Sequence, residues 1–216
     1  MLSEQKEVGV IPTCTNPDMF VRSSDKEILL FKKEIGFPED SLVMIYSGAL
    51  GGNYPIKDIF LFLQAFLSIS TKHYCLILSK ENLPNNINLP ERTVLKSVRY
   101  SEVPKHLSVG NFGLIYYAKA FSNIGRSPTK LGEYWACGLQ VISPSGVGDV
   151  EDIFKTYSSA GFIVNSLQLE SIRNVLEEAI NSPISIQQLR EASLDYFSLD
   201  KGVEFYKELY RGIHTK

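Results

Sequence analysis

Short apolar runs alternate with segments of helical period along this chain, and that alternation restricts the fold more than any other feature. Residues 41–48 (SLVMIYSG) form an apolar run ending on glycine, and Ile56, Ile59, Phe60, Leu63 and Leu67 follow at the spacing of one helix face. Residues 74–79, 93–98, 112–118, 141–143 and 161–164 repeat the strand signal. Residues 103–107 and 128–137 carry helical signals between them, and 81–90 is Pro/Asn-rich and reads as loop. Ile172, Val175, Leu176, Ala179 and Ile180 mark a further amphipathic helix ended by Pro183, and helices are expected over 185–197 and 199–212. Apolar strands alternating with helices imply a parallel α/β sheet of six strands, Rossmann-like, with helices on both faces and a helical C-terminal tail. The whole of 1–216 reads as a single domain, with 1–8 as a leader and 183–216 as C-terminal helices.

Composition excludes several classes. The chain has 216 residues, 44% hydrophobic and 21% charged, which argues against disorder and coiled coil. Its 22 Lys+Arg against 24 Asp+Glu, for a net charge of -2, give no basic excess of the kind nucleic-acid binders show. No apolar stretch approaches the ~20 residues of a spanning helix. The start lacks a signal-peptide core. Cys14, Cys75 and Cys137 are odd in number and far apart, as expected of reduced thiols in a cytoplasmic protein.

In a parallel α/β sheet, ligands bind outside the carboxyl ends of the strands. Three loops lie there. Gly48-Ala49-Leu50-Gly51-Gly52 allows close backbone approach to a phosphate, and reads equally as a tight strand–helix turn. In the second loop, Ser127 reads as N-cap and Pro128 as first residue of a helix whose Thr129 and Lys130 amides face an anion. Glu133 shares a helix face with Thr129 and Lys130, about 7–8 Å along the axis, roughly the reach from a diphosphate to a ribose. A carboxylate there accepts two hydrogen bonds from a vicinal diol. On spacing alone, Lys130 and Glu133 read first as a solvated ion pair. The third loop, 143–149, holds Gly146 and Gly148 and reads equally as a connector.

Together these segments resemble the carboxy-terminal, donor-binding domain of GT-B glycosyltransferases, in particular the retaining family-4 group. Val10-Ile11-Pro12 with residues 16–20 is similar to the family's entry to that domain, and 46–52 with Gln64-Ala65-Phe66 to its strand–loop–helix. Residues 98–104 are similar to the loop before its fourth strand, and 149–153 to its "GGxxEI" segment. The most specific part is 127–138 (SPTKLGEYWACG) with Val141-Ile142-Ser143, similar to "SPxKLxEYxACGxPVI". The resemblance runs over about 9–180 in the family's order.

It implies a nucleoside-diphosphate-sugar donor, no required metal, and transfer of a sugar to a carbohydrate or lipid-linked acceptor. Glu133 matches the second glutamate of the Glu-x7-Glu motif, which holds the ribose diol. Ser127, Pro128, Thr129 and Lys130 match the helix start near the diphosphate and sugar. Gly48, Gly51 and Gly52 match the glycine turn near the phosphates. Val98, Arg99 and Tyr100 match the loop that flanks the base. Three positions depart. Gly125 stands where the first glutamate falls, Ala49 where an arginine falls, and Tyr54 where a lysine falls, with Lys57 displaced. Arg126 and Lys130 are the cations left to serve catalysis. The resemblance begins at the interdomain crossover, which implies an acceptor-binding domain supplied in cis or trans. For the full-length enzyme it implies a cytoplasmic protein peripheral to the inner face of a membrane. The alternative is a non-catalytic nucleotide-sugar-binding or interaction module. An epimerase of the same fold is disfavoured, because its acid/base histidines and carboxylates are not apparent.

Other residues read as structural. His73, His106 and His214 have no metal spacing and are expected on surface or loops. Cys137, Trp135 and Tyr116 are expected in packing. Tyr117 and Phe121 stand near the cleft. Val203, Tyr206 and Tyr210 form an apolar stripe expected to be exposed.

Overall fold

A computed structural model of the protein describes residues 11–214; the leader 1–8 and Val10 lie outside them. The six strands are β1 (Leu42–Ser47), β2 (His73–Leu78), β3 (Thr93–Lys96), β4 (Phe112–Leu114), β5 (Gln140–Pro144) and β6 (Gly161–Val164). All pair in parallel in the order β3-β2-β1-β4-β5-β6. The order reverses between β1 and β4, so the loops after these two strands diverge and leave a crevice. The helices are α1 (Asp25–Glu34), α2 (Ile56–Ile69), α3 (Val103–Leu107), α4 (Thr129–Ala136), α5 (Val150–Thr156), α6 (Leu169–Asn181), α7 (Ile186–Tyr196) and α8 (Leu199–His214).

Alternation along the strands divides the core in two. Val43 and Ile45 of β1 face one layer with Tyr134 and Trp135, whereas Met44 and Tyr46 face the other with Phe62 and Phe66 of α2. Each face of the sheet is therefore covered. The amino-terminal segment is tied to the far end of the chain. Thr15 N donates to Phe197 O (2.7 Å) and Leu199 N to Thr15 O (3.2 Å). Arg190 donates to the carbonyls of Phe20, Pro17 and Ala136, fixing this segment against the end of α4.

Several expectations need correction. The fourth strand stops at Leu114, not Ala118; Ile115 N still donates to Ile142 O of β5 (2.9 Å), and by Ala118 the backbone has left the sheet, with Ala118 N bonded to Asn53 O (2.8 Å). β3 ends at Lys96, so Val98 lies in the following loop. Helix α1 lies outside the elements expected from periodicity. Its signal is a capping box, in which Ser24 Oγ accepts from Glu27 N and Glu27 Oε2 accepts from Ser24 N.

His73 and His106 are buried, not surface residues. Both rings satisfy Nδ1–H on a backbone carbonyl: His73 on Phe66 O (2.8 Å) and His106 on Glu102 O (2.9 Å). His73 also stacks on Phe66 at 4.3 Å. Burial lowers both pKa values, against the opposing pull of the carbonyls. A folded-state pKa below the unfolded one means that the unfolded chain binds protons first as pH falls. This contribution to stability is complete above the unfolded value of about 6.5 and is lost as pH falls toward the folded values. The melting temperature is expected to drop between pH 7 and pH 5, with both rings titrating below about 6.5 by NMR; midpoints above that value contradict the assignment. The side chain of His214 lies outside the described side chains.

Trp135, Cys137 and Tyr116 are buried as expected, and all three cysteines are free thiols. The α8 stripe is exposed: Val203 at 43%, Tyr206 at 54% and Tyr210 at 62%. Among the described residues, no helix is long and apolar enough to cross a membrane.

Candidate functional site

The crevice between β1 and β4 is closed from below by one side chain. Tyr134 of α4 is fully buried, and its hydroxyl accepts from Ser47 N (2.9 Å) and faces Leu114 O (3.3 Å). It bridges the carboxyl ends of the two diverging strands. The approach is close because Gly113 lies beneath the ring; a Cβ there would run into Tyr134. Tyr134→Phe removes the partner of a buried Ser47 amide and is expected to cost about 1–2 kcal/mol. Chemical denaturation checks this value, and an unchanged midpoint contradicts the bridge.

Helix α4 begins at this point. Pro128 is its N-cap, with no side-chain cap. Ser127 does not cap, in contrast to the expectation from sequence. Its Oγ accepts from Thr13 N (3.0 Å) and its carbonyl accepts from Thr13 Oγ1 (2.7 Å), so a distant segment claims it. The first amide committed to a turn bond is Leu131 N, donating to Pro128 O (3.0 Å). The Thr129 and Lys130 amides precede it, at the positive end of the helix dipole.

Two clefts flank the Gly48-Ala49 backbone. One, of about 240 Å³, runs over the ends of β2 and β3 past Ser79, Glu81, Val98 and Tyr100. The other, of about 180 Å³, runs toward β4 past Tyr54, Tyr117 and Thr129. Ser47, Gly48, Ala49 and Lys130 line both.

Glu133 lies one turn into α4 and is only 2% exposed. Both oxygens are engaged. Lys130 Nζ donates to Oε2 (2.7 Å) and the Tyr100 hydroxyl donates to Oε1 (3.1 Å). The ion pair anticipated from spacing therefore exists, but its carboxylate is buried rather than solvated. Two donors on two oxygens is also the arrangement by which a carboxylate holds a vicinal diol. Desolvation, reinforced by the neighbouring Glu133 charge, pushes the Tyr100 hydroxyl up to about 12, so it donates throughout the neutral range.

The structure thus brings Gly48, Val98, Tyr100, Thr129, Lys130 and Glu133 to one place. Gly51 and Gly52 lie further out. They form a left-handed turn (φ 103° and 57°) in which Gly51 N and O pair with Tyr54. That turn needs glycine, and its amide is already committed. Arg99 precedes the 3₁₀ turn Tyr100–Glu102 and points to solvent. Arg126 donates through Nε to Asn123 Oδ1 (2.9 Å) and stacks 4.4 Å over Tyr117, at the edge of the smaller cleft. Tyr117 lines the β4-side cleft as expected; residues not anticipated are Tyr134 and the Ser79–Glu81 turn. The last follows β2 directly, so the carboxyl-edge rule alone would have pointed to it.

No protein-family model and no curated protein matches the chain. Solved structures do. Sucrose-phosphate synthase from Thermosynechococcus elongatus aligns at TM-score 0.69 and 17% identity, over 96% of this chain and 53% of that one. An Anabaena protein in complex with UDP and glucose aligns at TM-score 0.71 and 11% identity, over 94% of this chain and 56% of that one. The chain thus spans little more than half the length of either. The C-terminal domain of a glycosyl transferase group 1 family protein from Francisella tularensis aligns at TM-score 0.58 and 12% identity, over 85% of this chain and 94% of that one. At these identities the likeness concerns the fold: the chain has the Rossmann-like architecture of one half of a GT-B glycosyltransferase.

Proposed function

We propose that this chain is the donor-binding domain of a retaining, family-4-type glycosyltransferase and that it holds a nucleoside-diphosphate sugar across the β1–β4 crevice. The buried Glu133 carboxylate one turn below the start of α4 carries this reading. Ribose hydroxyls exchange with Tyr100 and Lys130 on Glu133, and Lys130 then turns to the diphosphate. The base lies along Val98 and Tyr100 in the larger of the two flanking clefts. Gly48, the Thr129 and Lys130 amides and the Lys130 ammonium meet the charge that develops on the diphosphate as the sugar leaves, and Arg126 approaches from the Tyr117 side. These groups do so without a metal. The acceptor-binding half is contributed in cis or trans, so the isolated chain binds donor but does not transfer. The UDP complex of the Anabaena neighbour supports a nucleotide ligand for this fold. The full-length enzyme is cytoplasmic and peripheral to a membrane in this proposal.

Calorimetric titration with UDP, GDP and ADP tests the proposal. At least one is expected to bind and to raise the melting temperature at millimolar concentration; no response to any of the three removes it. A non-catalytic binding module is favoured by one observation. Gly125, where the resemblance places a glutamate, is exposed, and a Cβ there meets nothing within 4 Å, so packing does not exclude a carboxylate that the chain nonetheless lacks. Nucleotide binding without transfer once the acceptor half is supplied supports the module.

A further inference from the structure

The turn after β2 brings a carboxylate to the larger of the two clefts that flank Gly48-Ala49. Apolar side chains form much of that cleft's wall: Leu78 and Val103 are buried, Val98 is half-buried and the Tyr100 ring is exposed. Such surfaces suit a flat heterocycle. Among the described residues lining the cleft, Glu81 is the only carboxylate. The cations there are Lys130, paired with Glu133 (2.7 Å), and Lys80, which is exposed.

The Glu81 carboxylate is held in place. Ser79 is buried, and its amide donates to Lys96 O (3.0 Å) at the end of β3. The Ser79 hydroxyl donates to Glu81 Oε2 (2.5 Å), and Glu81 N donates back to Ser79 Oγ (3.4 Å). The Ser79 hydroxyl first, then the backbone amides of Glu81 and Leu50, hold the carboxyl below the usual carboxylate range. At neutral pH it is ionised and acts only as an acceptor. A carboxylate has about four lone-pair sites, so the bond from Ser79 leaves capacity on it.

Tyr100, one of the two donors on Glu133, lines this cleft and not the other, whereas Thr129 at the start of α4 lines the other and not this one. A ribose that takes the place of Tyr100 on Glu133, with its diphosphate at Thr129, therefore leaves its base in the cleft that holds Glu81. We propose that Glu81 selects guanine, so that the donor nucleotide is guanosine diphosphate. Guanine presents two adjacent donors on one edge, N1–H and the 2-amino group, and the two oxygens of a carboxylate accept from such a pair. Uracil offers one N–H between two carbonyl oxygens, and adenine one amino group beside a ring-nitrogen lone pair. Each sets a lone pair against the carboxylate. A site built to accept from a ligand rejects the analogue that lacks the donor. The assignment rests on the donor reading above, which holds for any base.

Calorimetric titration of the full chain with GDP, IDP, UDP and ADP tests it. IDP differs from GDP only in lacking the 2-amino group. GDP is expected to bind about tenfold more tightly than IDP and at least about tenfold more tightly than UDP or ADP. In Glu81→Ala, GDP is expected to weaken about tenfold and to come within about twofold of IDP. Glu81 is exposed, so the variant is expected to keep the melting temperature of the unaltered chain. If Glu81 served only to shape the neighbouring loop, GDP and IDP would weaken together and keep their ratio, which overturns the assignment. UDP or ADP binding as tightly as GDP to the unaltered chain overturns the choice of guanine and leaves the donor reading standing. Binding by none of the four overturns the donor reading, and this assignment with it.

Discussion

Trp135→Ala is expected to destabilise the chain by about 3–5 kcal/mol, the range for deleting a large buried aromatic. Trp135 is fully buried on α4, with its ring edge-on to Tyr157 (5.5 Å) and Phe197 (5.8 Å) and tilted against Phe154 (6.1 Å). Its Nε1 donates to Ala160 O (2.9 Å). One side chain thus joins α4 to α5, to the segment entering β6 and to the α7–α8 junction, and three groups of neighbours lose contact together. For a chain of this length the melting temperature is expected to fall by roughly 10 °C. Trp135→Phe keeps much of the ring packing and removes one of two hydrogen bonds to the Ala160 carbonyl, which still accepts from Val141 N (3.0 Å), and is expected to cost about 0.5–1.5 kcal/mol. Trp135 is the only tryptophan, so both variants are followed by far-UV circular dichroism rather than fluorescence. An alanine variant as stable as the unaltered chain would contradict the packing described here.

Glu133→Ala is expected to weaken nucleoside diphosphate binding by about 1–3 kcal/mol, or about 5- to 150-fold, the loss of hydrogen bonds to a charged acceptor. The fold is expected to survive. Lys130 retains 30% side-chain exposure and Tyr100 is 56% exposed, so both can turn to water when the carboxylate is gone. Calorimetry on the two proteins separates the effects: equal affinity removes Glu133 from the site, and equal stability with weakened binding supports its role.

Much of the architecture was legible because the strands are apolar on both faces. β1, β2 and β6 appear as continuous runs, and Ile56 to Leu67 has the period of the helix it forms. β4 was over-read because Ile115 and Tyr116 are buried yet lie beyond the paired residues, so apolarity continued past the ladder. The histidines were misplaced because a neutral ring with its N–H on a carbonyl is stable in the core, and spacing carries no sign of that partner. Within the site, α4 and Glu133 could be placed because a helix start and one turn of rise are local quantities. Three features depended on distant segments instead. Thr13 claims Ser127, Tyr100 reaches Glu133 across 33 residues, and Tyr134 pins Ser47 across 87. The Gly51-Gly52 turn shows the converse. Its glycines stand out in the sequence, and the structure uses them for a left-handed turn closed on Tyr54.

The most direct measurement is backbone amide chemical-shift mapping of the full chain during titration with UDP, GDP and ADP. The account predicts saturable shifts centred on Gly48, Ala49, Tyr100, Thr129 and Lys130, with Asn165 and Ser166 little changed. Saturable shifts confined to other residues, or none with any of the three nucleotides, would contradict a nucleotide site at the β1–β4 crevice.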